Sequence, residues 1–311
     1  MFTFFERPIG IIYGHAEQYN PLFEKLLTRG IPYEIINPAD HLYDPAQYEV
    51  PYSLVFNDMS SPPYLAHNAL GIAQTVEYIK HVEKVSGVLN SSQVVNGSRI
   101  TEIVSTRSRQ LALFASLGIP FPKTRIVSSI DQLLAASNEL RFPIIIKSNG
   151  ISDPAVTRRF ENTSELVNAL IKDELHLQND KSWLVQEYIQ PKGNHINRVE
   201  ILNGRILYAV KIFHAGDEPE RWPIEVKTSV FTPSPEVTST LEKIAHAALI
   251  DAGSIEYVID QKTNQVYFYA IRPYTSSRSI HIEGIDFNPV DRLSLYLEQR
   301  LQKIREIALT I

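Results

Sequence analysis

Cysteine is absent from the 311-residue chain, and so are long apolar runs. The lack of cysteine excludes disulfides, thiolate zinc sites and a cysteine nucleophile, and it fits a reducing compartment. No stretch approaches ~18 uninterrupted apolar residues, so we expect no transmembrane helix. The N-terminus has no basic segment followed by a long apolar run. We therefore expect no signal peptide and a cytoplasmic protein.

An excess of positive charge is also missing, because 30 lysine and arginine residues stand against 35 aspartate and glutamate residues. A chain with this balance is not expected to wrap nucleic acid or to bind an anionic membrane. The nine histidines show no H-E-x-x-H or similar spacing, which argues against a zinc site. No G-x-S-x-G motif is present, and the first strand lacks G-x-G-x-x-G. A hydrolase and a dinucleotide oxidoreductase are therefore both disfavoured.

The chain does contain a regular alternation of predicted strands and helices. Residues 9–13, 33–37 and 53–57 are typical of buried strands, and helices between them predict a parallel sheet with right-handed crossovers. Asn20 and Pro21 predict the N-cap and the first residue of the first helix. We place a domain boundary near residue 104, before a helix predicted at 105–117.

The stretch 142–147, Phe-Pro-Ile-Ile-Ile-Lys, predicts a short buried strand. A lysine at its end, Lys147, would carry its ammonium group out of the core to a place where a ligand can bind. The alternative is a strand-end lysine that only reaches solvent. A second apolar strand is predicted at 183–189. By pattern alone, its residues are those of an ordinary half-buried strand.

Residues 197–213 predict a β-hairpin, since two β-rich runs are joined by Asn203–Gly204, the pair that favours a type I′ turn. A two-residue loop would place Arg198 opposite Ala209 and on the same face as Lys211. The two cations would then form an anion site. A solvated charged face is the alternative.

These segments, taken in order, resemble the ATP-grasp superfamily, specifically the branch of ribosomal-protein glutamate ligases and glutathione synthetases. The resemblance implies an α/β and α+β fold in which two lobes clasp a nucleotide. It divides the chain into a Rossmann-like domain at 1–104, a central lobe at 105–181 and a C-terminal lobe at 182–311.

The resemblance also implies roles for particular residues. Lys147 matches the strand lysine that contacts the α-phosphate, and Arg107 stands where the family usually has a lysine. Residues 186–189, called the hinge below, match the segment that binds adenine through backbone groups. The implied ATP-binding residues are Arg107, Lys147, Gln186, Glu187, Tyr188 and Ile189. The implied catalytic residues, which would hold the phosphoryl group or a carboxylate, are Arg198, Lys211 and Arg272.

Two family motifs are degenerate in this sequence. The loop after the lysine strand, glycine-rich in the family, contains Pro154, which has no N–H to offer a phosphate. The final hairpin usually supplies carboxylates and an asparagine to Mg²⁺. Here Glu256 occupies the first position, but Ala270 and Arg272 occupy the other two. The resemblance thus implies ATP as a cofactor and an incomplete Mg²⁺ site with Glu256 as its candidate ligand.

The function implied by the resemblance is that of an ATP-dependent carboxylate–amine ligase, which forms a peptide bond through an acyl phosphate. The degenerate metal motif keeps an alternative open, namely a catalytically impaired ATP-grasp protein that binds a nucleotide or peptide as a regulator or partner. The implied substrates are a carboxylate and an amine, each a small molecule or a peptide. Their identity stays open, and a homodimer is one option for the assembly.

Overall fold

The computed structural model describes residues 7–13, 16–37, 41–58, 69–85, 93–150, 158–175, 182–213, 227–273 and 282–309. Within these ranges, thirteen strands form three sheets, and eight α-helices pack against them. The mixed α/β and α+β class predicted from the sequence is confirmed. No helix in the described ranges is long and apolar enough to span a membrane.

The first sheet is parallel, as the alternation of strands and helices predicts. Its strands are Ile9–Tyr13 (β1), Tyr33–Ile36 (β2), Leu54–Asp58 (β3) and Val94–Val95 (β4), in the order β2-β1-β3-β4. The helices of this region are Ala16–Thr28 (α1), Ala69–Val85 (α2) and Ser98–Val104 (α3). Side chains of β1 point alternately to two cores, one shared with α1 and one shared with α2.

Helix α1 begins earlier than the sequence suggests. It starts at Ala16, so Asn20 is not its N-cap, and Pro21 lies in its second turn. A proline there removes one main-chain hydrogen bond near the helix start, a loss that the buried apolar face of α1 outweighs. The helix stops near the predicted place, because Gly30 adopts a positive φ of 65° and its N–H donates to the Leu27 carbonyl oxygen at 2.9 Å.

The second sheet is antiparallel and contains the predicted lysine strand. Its strands are Thr124–Val127 (β5), Ile144–Ser148 (β6), Arg158–Phe160 (β7) and Trp183–Glu187 (β8), in the order β5-β8-β6-β7. The helices are Arg107–Ser116 (α4), Ile130–Asn138 (α5) and Thr163–Ile171 (α6). Ile144 and Ile146 pack in the core beneath α5 and α6. Because side chains alternate along a strand, Ile145 and Lys147 lie on the opposite face.

The third sheet is also antiparallel. Its strands are His195–Leu202 (β9), Arg205–Phe213 (β10), Thr228–Val230 (β11), Ala252–Ile259 (β12) and Val266–Pro273 (β13), in the order β11-β10-β9-β12-β13. A short 3-10 helix, Lys192–Asn194, precedes β9. The remaining α-helices are Pro235–Ala248 (α7) and Pro289–Leu309 (α8). The boundaries near residues 104 and 181 stay predictions.

The two faces of the third sheet differ in chemistry. One face packs against α4 and α7 through apolar side chains, which include Val199, Ile201, Ile255 and Ile271. The strand pairing places a set of polar side chains together on the opposite face, called the polar face below: Arg198, Glu200, Ser254, Glu256 and Arg272. Four of these five are buried or nearly so, which makes the polar face part of the interior rather than a solvated surface.

The hairpin between β9 and β10 forms, but its register differs from the prediction. The Asn203–Gly204 turn has positive φ values of 54° and 69°, as a type I′ turn requires. After the pairs Arg205–Leu202 and Ile206–Ile201 the ladder shifts, because Leu207 has no partner and forms a β-bulge. A bulge of one residue exchanges the two faces for the whole remaining strand.

The bulge overturns the predicted anion face. Arg198 lies opposite Val210 rather than Ala209, and Lys211 lies opposite Asn197. Arg198 and Lys211 therefore lie on opposite faces of the sheet, and the prediction that they share one face is wrong. The Lys211 ammonium instead lies 5.7 Å from the centroid of the Phe231 ring, beside the apolar face.

The N-terminal region is tied to the third sheet through one buried residue, Asn96. Its side-chain oxygen accepts the backbone N–H groups of Asp251 (3.2 Å) and Ala252 (3.0 Å), and its amide group donates to the Ala252 carbonyl oxygen at 2.7 Å. The Asp251 carboxylate in turn accepts the Arg300 guanidinium of α8 at 3.0 Å. The start of β12, the strand that carries Glu256, is thereby held by two separate parts of the chain.

Candidate functional site

The predicted lysine lies where the second and third sheets approach each other. Lys147 is 5 % exposed, and its Nζ atom lies 6.0 Å from the centroid of the Tyr269 ring on β13. Tyr269 lies on β13, the strand that also carries Arg272 of the polar face. The space between Lys147 and the polar face is called the candidate cleft below.

Arg107 is brought to the same end of β6 as Lys147 by a residue that the sequence analysis missed. Asn149 accepts the Arg107 N–H at its carbonyl oxygen (2.9 Å) and the Ser108 N–H at its side-chain oxygen (2.8 Å). Its side-chain amide donates to Ser182 Oγ at 2.9 Å. In the sequence, Asn149 reads only as half of an Asn-Gly turn signal. Its role as a link between α4 and β6 depends on contacts with distant residues.

The hinge comprises the last two residues of β8 and the two residues after it, and it is braced from both sides. The N–H groups of Glu187 and Tyr188 donate to the carbonyl oxygens of Lys123 and Pro143, each at 2.9 Å. Those two donors are therefore occupied, whereas the Ile189 N–H makes no hydrogen bond to the residues that the structure describes. Ile189 is the hinge residue whose N–H remains for an external acceptor.

Side chains of the hinge have structural partners as well. Burial opposes ionisation of Glu187, but hydrogen bonds from the Arg141 side chain and backbone outweigh it and lower the pKa of Glu187. Gln186 donates to Thr124 Oγ1 at 2.7 Å. The guanidinium carbon of Arg159 lies 4.1 Å from the centroid of the Tyr188 ring, a cation–π contact that connects β7 with the hinge. The hinge is thus positioned by its side chains and by two of its N–H groups, which leaves the Ile189 N–H for recognition.

Glu256 is at the centre of the polar face and is completely buried. Its Oε1 atom accepts Arg198 Nε at 2.9 Å and Arg272 Nε at 3.0 Å, together with a short hydrogen bond from Arg198 Nη2. The residue opposite on β13 is Ala270, which contributes no polar group. One carboxylate thus joins arginines from the two neighbouring strands, β9 and β13.

This cluster is ionised at neutral pH. Burial raises the pKa of Glu256, but the charges of Arg272 and Arg198 and their hydrogen bonds outweigh burial and lower it to about 2. Burial likewise disfavours charged Arg198, yet the carboxylates of Glu256 and Glu200 raise its pKa above the ordinary value. A buried charge of either sign is tolerated here only because its partners are in place.

The residues present do not fit a Mg²⁺ ion. Mg²⁺ requires near-octahedral coordination by oxygen atoms, usually with one or two carboxylates. Oε1 of Glu256 already accepts three N–H groups, and its Oε2, which makes no hydrogen bond among the described residues, lies beside two guanidinium groups. Glu200, the second carboxylate of the polar face, acts as a counter-charge of Arg198. No group of three or more metal-ligating side chains occurs in the described ranges. Glu256 therefore serves as an ion-pair partner and not as the Mg²⁺ ligand that the family resemblance implies.

Two further predictions concern the position of Lys211 and the loop at 151–157. Lys211 lies on the apolar side of the third sheet and does not face the candidate cleft. The loop at 151–157, with Pro154, lies outside the described residues. The structure brings Lys147, the hinge, Arg198 and Arg272 around the candidate cleft. It places the main chain of Arg107 at the end of β6 that carries Lys147, and it leaves Lys211 out.

Comparison with known proteins identifies the family. The sequence model of the RimK-like ATP-grasp domain matches residues 104–272, more than half of the chain. The chain belongs to the RimK-like ATP-grasp family. The predicted resemblance to the ATP-grasp superfamily is thereby confirmed, and the matched range contains Lys147, the hinge and both arginines of the polar face.

Solved structures of ATP-grasp ligases share the fold. The ATP-grasp ligase PsnB, complexed with its minimal precursor, is 15 % identical with a TM-score of 0.67, covering 95 % of this chain and 100 % of that chain. A RimK domain ATP-grasp protein from Sphaerobacter thermophilus DSM 20745 is 15 % identical, with a TM-score of 0.65 and coverage of 96 % and 98 %. The D-cycloserine synthetase DcsG is 17 % identical, with a TM-score of 0.63 and coverage of 94 % and 99 %.

Replacing the central carboxylate tests the ion cluster. We expect Glu256→Gln to lower the free energy of unfolding at pH 7 by about 3–5 kcal/mol, because it leaves two arginines without their shared counter-charge. The pKa is lowered in the folded state, so the carboxylate stabilises the protein above its unfolded value of 4.5. That contribution should disappear as the pH falls from 4.5 towards 2.

Urea unfolding of both proteins between pH 7 and pH 3 measures this difference. The matched control is Glu242→Gln on the exposed side of α7, which should change stability by less than about 0.5 kcal/mol. A difference between wild type and Glu256→Gln that stays constant across this pH range would contradict the assignment.

Proposed function

We propose that this protein is an ATP-dependent carboxylate–amine ligase whose nucleotide binds in the candidate cleft. The observation that carries the proposal is the family match, which spans the strand lysine, the hinge and the polar face. The geometry supports it, because Lys147 lies near Tyr269 of β13, the strand that also carries Arg272 of the polar face.

In this proposal the hinge receives the adenine ring. The N–H of Ile189 donates to a ring nitrogen, and hinge carbonyl oxygens accept the amino group. The ammonium group of Lys147 and the guanidinium group of Arg107 contact phosphate oxygens. A buried ammonium group attracts an anion strongly, because little water screens it.

The polar face lies where charge develops during the reaction. A substrate carboxylate oxygen attacks the γ-phosphorus, the bond to ADP breaks, and an acyl phosphate forms. The nitrogen of a neutral amine then attacks the acyl carbon, inorganic phosphate leaves, and the nitrogen loses a proton as the amide forms. Arg198 and Arg272 supply fixed positive charge to the phosphoryl oxygens in both steps.

Proteins of similar structure act on both peptides and small molecules. One PsnB structure contains a minimal precursor, Mg and ADP, and another contains the precursor peptide PsnA2 and AMPPNP. Similar folds also occur in D-cycloserine synthetase and in D-alanine–D-alanine ligase from Bacillus anthracis. For this chain we propose a small-molecule or peptide carboxylate as acyl donor. A homodimer and a cytoplasmic location stay predictions.

A second function is favoured by one observation, the ion pair between Glu256 and Arg272. Metal ions normally stabilise the charge on the transferred phosphoryl group, a contribution of several kcal/mol. A cleft without such an ion would bind a nucleotide better than it turns the nucleotide over. The alternative is therefore a regulator or partner protein that binds a nucleotide or peptide and does not ligate.

Trapping of the acyl phosphate distinguishes these two functions. Hydroxylamine attacks an acyl phosphate and yields a stable hydroxamate, whatever the natural amine is. We expect the protein with ATP, hydroxylamine and a pool of amino acids and glutamate-terminated peptides to form ADP and hydroxamate in equal amounts. Nucleotide binding without carboxylate-dependent ADP formation would instead support the second function. Absence of nucleotide binding would exclude the ligase and leave only a partner protein that binds a peptide.

Removal of the strand lysine tests the nucleotide site directly. We expect Lys147→Ala to weaken ATP binding by about 1.5–3 kcal/mol, which is roughly 10- to 150-fold, because a charge-assisted contact with phosphate is lost. Isothermal titration calorimetry measures the change. Lys243→Ala, at an exposed lysine of α7, is the control and should bind like wild type. Unchanged affinity in folded Lys147→Ala protein would remove Lys147 from the site.

A further inference from the structure

We propose that the guanidinium group of Arg272 takes the place of a metal ion, and that the ligand of the candidate cleft is a metal-free nucleoside triphosphate. This inference rests on the proposed nucleotide site and defines the form of the nucleotide that it binds. The disagreement between the family's metal requirement and the residues of the polar face is its starting point.

The hydrogen bonds of Arg272 leave its outer nitrogens available. Its Nε atom donates to Glu256 Oε1 at 3.0 Å, whereas Nη1 and Nη2 make no hydrogen bond to the described residues. The side chain is 31 % exposed, although its carboxylate partner is completely buried. A guanidinium group held in this way presents four N–H bonds in one plane, which matches the oxygens of a phosphate group.

The anchor beneath Arg272 is rigid. Glu256 lies on β12, which is paired on both sides, and two nitrogens of Arg198 bind the same carboxylate oxygen. The Arg272 side chain therefore loses little conformational freedom when an anion binds. Such preorganisation strengthens binding, because less ordering is required at the moment of association.

The charges of the polar face favour an uncomplexed polyphosphate. The two guanidinium groups of the polar face, Arg198 and Arg272, are balanced by two carboxylates, Glu200 and Glu256, and Lys147 adds one positive charge across the cleft. A free triphosphate carries roughly four negative charges, and a bound Mg²⁺ ion cancels two of them. The magnesium complex would bring a divalent cation towards Arg272, which repels it.

The direction of the metal effect follows from these charges. A site that needs Mg²⁺ binds ATP more tightly when the ion is present. A site in which arginine supplies the positive charge binds ATP at least as tightly in a chelator. We therefore expect the affinity in EDTA to equal or exceed the affinity in excess MgCl₂.

Calorimetric titration of ATP into the full chain, once in EDTA and once in excess MgCl₂, provides the test. An affinity in EDTA that is threefold or more below the value in MgCl₂ overturns the inference but leaves the proposed function intact. Binding in neither solution overturns the proposed function itself. The two failures are thereby distinguishable.

Substitution of the arginine assigns the effect to it. Arg272→Met should weaken ATP binding in EDTA by about tenfold or more, and Arg272→Lys, which keeps the charge but not the planar fork, should lie between it and wild type. The control is Arg99→Met on α3, whose exposed side chain donates to the Ala247 carbonyl oxygen far from the polar face. Wild-type affinity of folded Arg272→Met in EDTA contradicts the inference.

A double substitution keeps the test independent of the stability of Arg272→Met. Ala270→Asp with Arg272→Asn replaces the cation by an acid and an amide beside Glu256, so it should restore oxygen ligands for Mg²⁺. We expect ATP binding by this variant to become at least tenfold tighter in MgCl₂ than in EDTA. A variant that folds and still binds equally in both solutions would show that Arg272 does not determine the metal requirement.

Discussion

The structure of the candidate cleft depends on one buried carboxylate. Glu256 is completely buried, and an isolated charge in such a place would be far too unfavourable to persist. Arg198 and Arg272 make it tolerable, and in doing so they fix the side chains of three adjacent strands relative to one another. Removing Glu256 would leave two arginines without their shared counter-charge, whereas removing one arginine leaves the carboxylate paired with the other.

A guanidinium group and a metal ion are not equivalent as phosphate ligands. Arginine donates hydrogen bonds in a fixed plane, so it can hold an anion, but it carries one charge and cannot bridge two phosphate oxygens by coordination. A cleft built on Arg272 should therefore retain binding more fully than phosphoryl transfer. The buried ion cluster therefore bears on whether the protein joins a carboxylate to an amine or only binds a nucleotide.

Much of the fold was predictable because its signals are local. The run of isoleucines before Lys147 does form a buried strand, and Asn203–Gly204 does form the tight turn. Ser129 caps α5 through its side chain, as its position before an apolar helix suggests. The order of these segments was enough to indicate the ATP-grasp superfamily, which the family match confirms.

By itself, the sequence determined most strands, turns and helix ends, because these depend on neighbours a few residues apart; the start of α1 is an exception. Tertiary structure decided which side chains meet. Leu207 forms a bulge that no local pattern signals, and it moved Lys211 away from Arg198. Asn149 binds partners more than 30 residues away in the chain. The partners of Glu256 come from β9 and β13, so its pKa and its lack of fit to a metal became evident only once three strands were placed side by side.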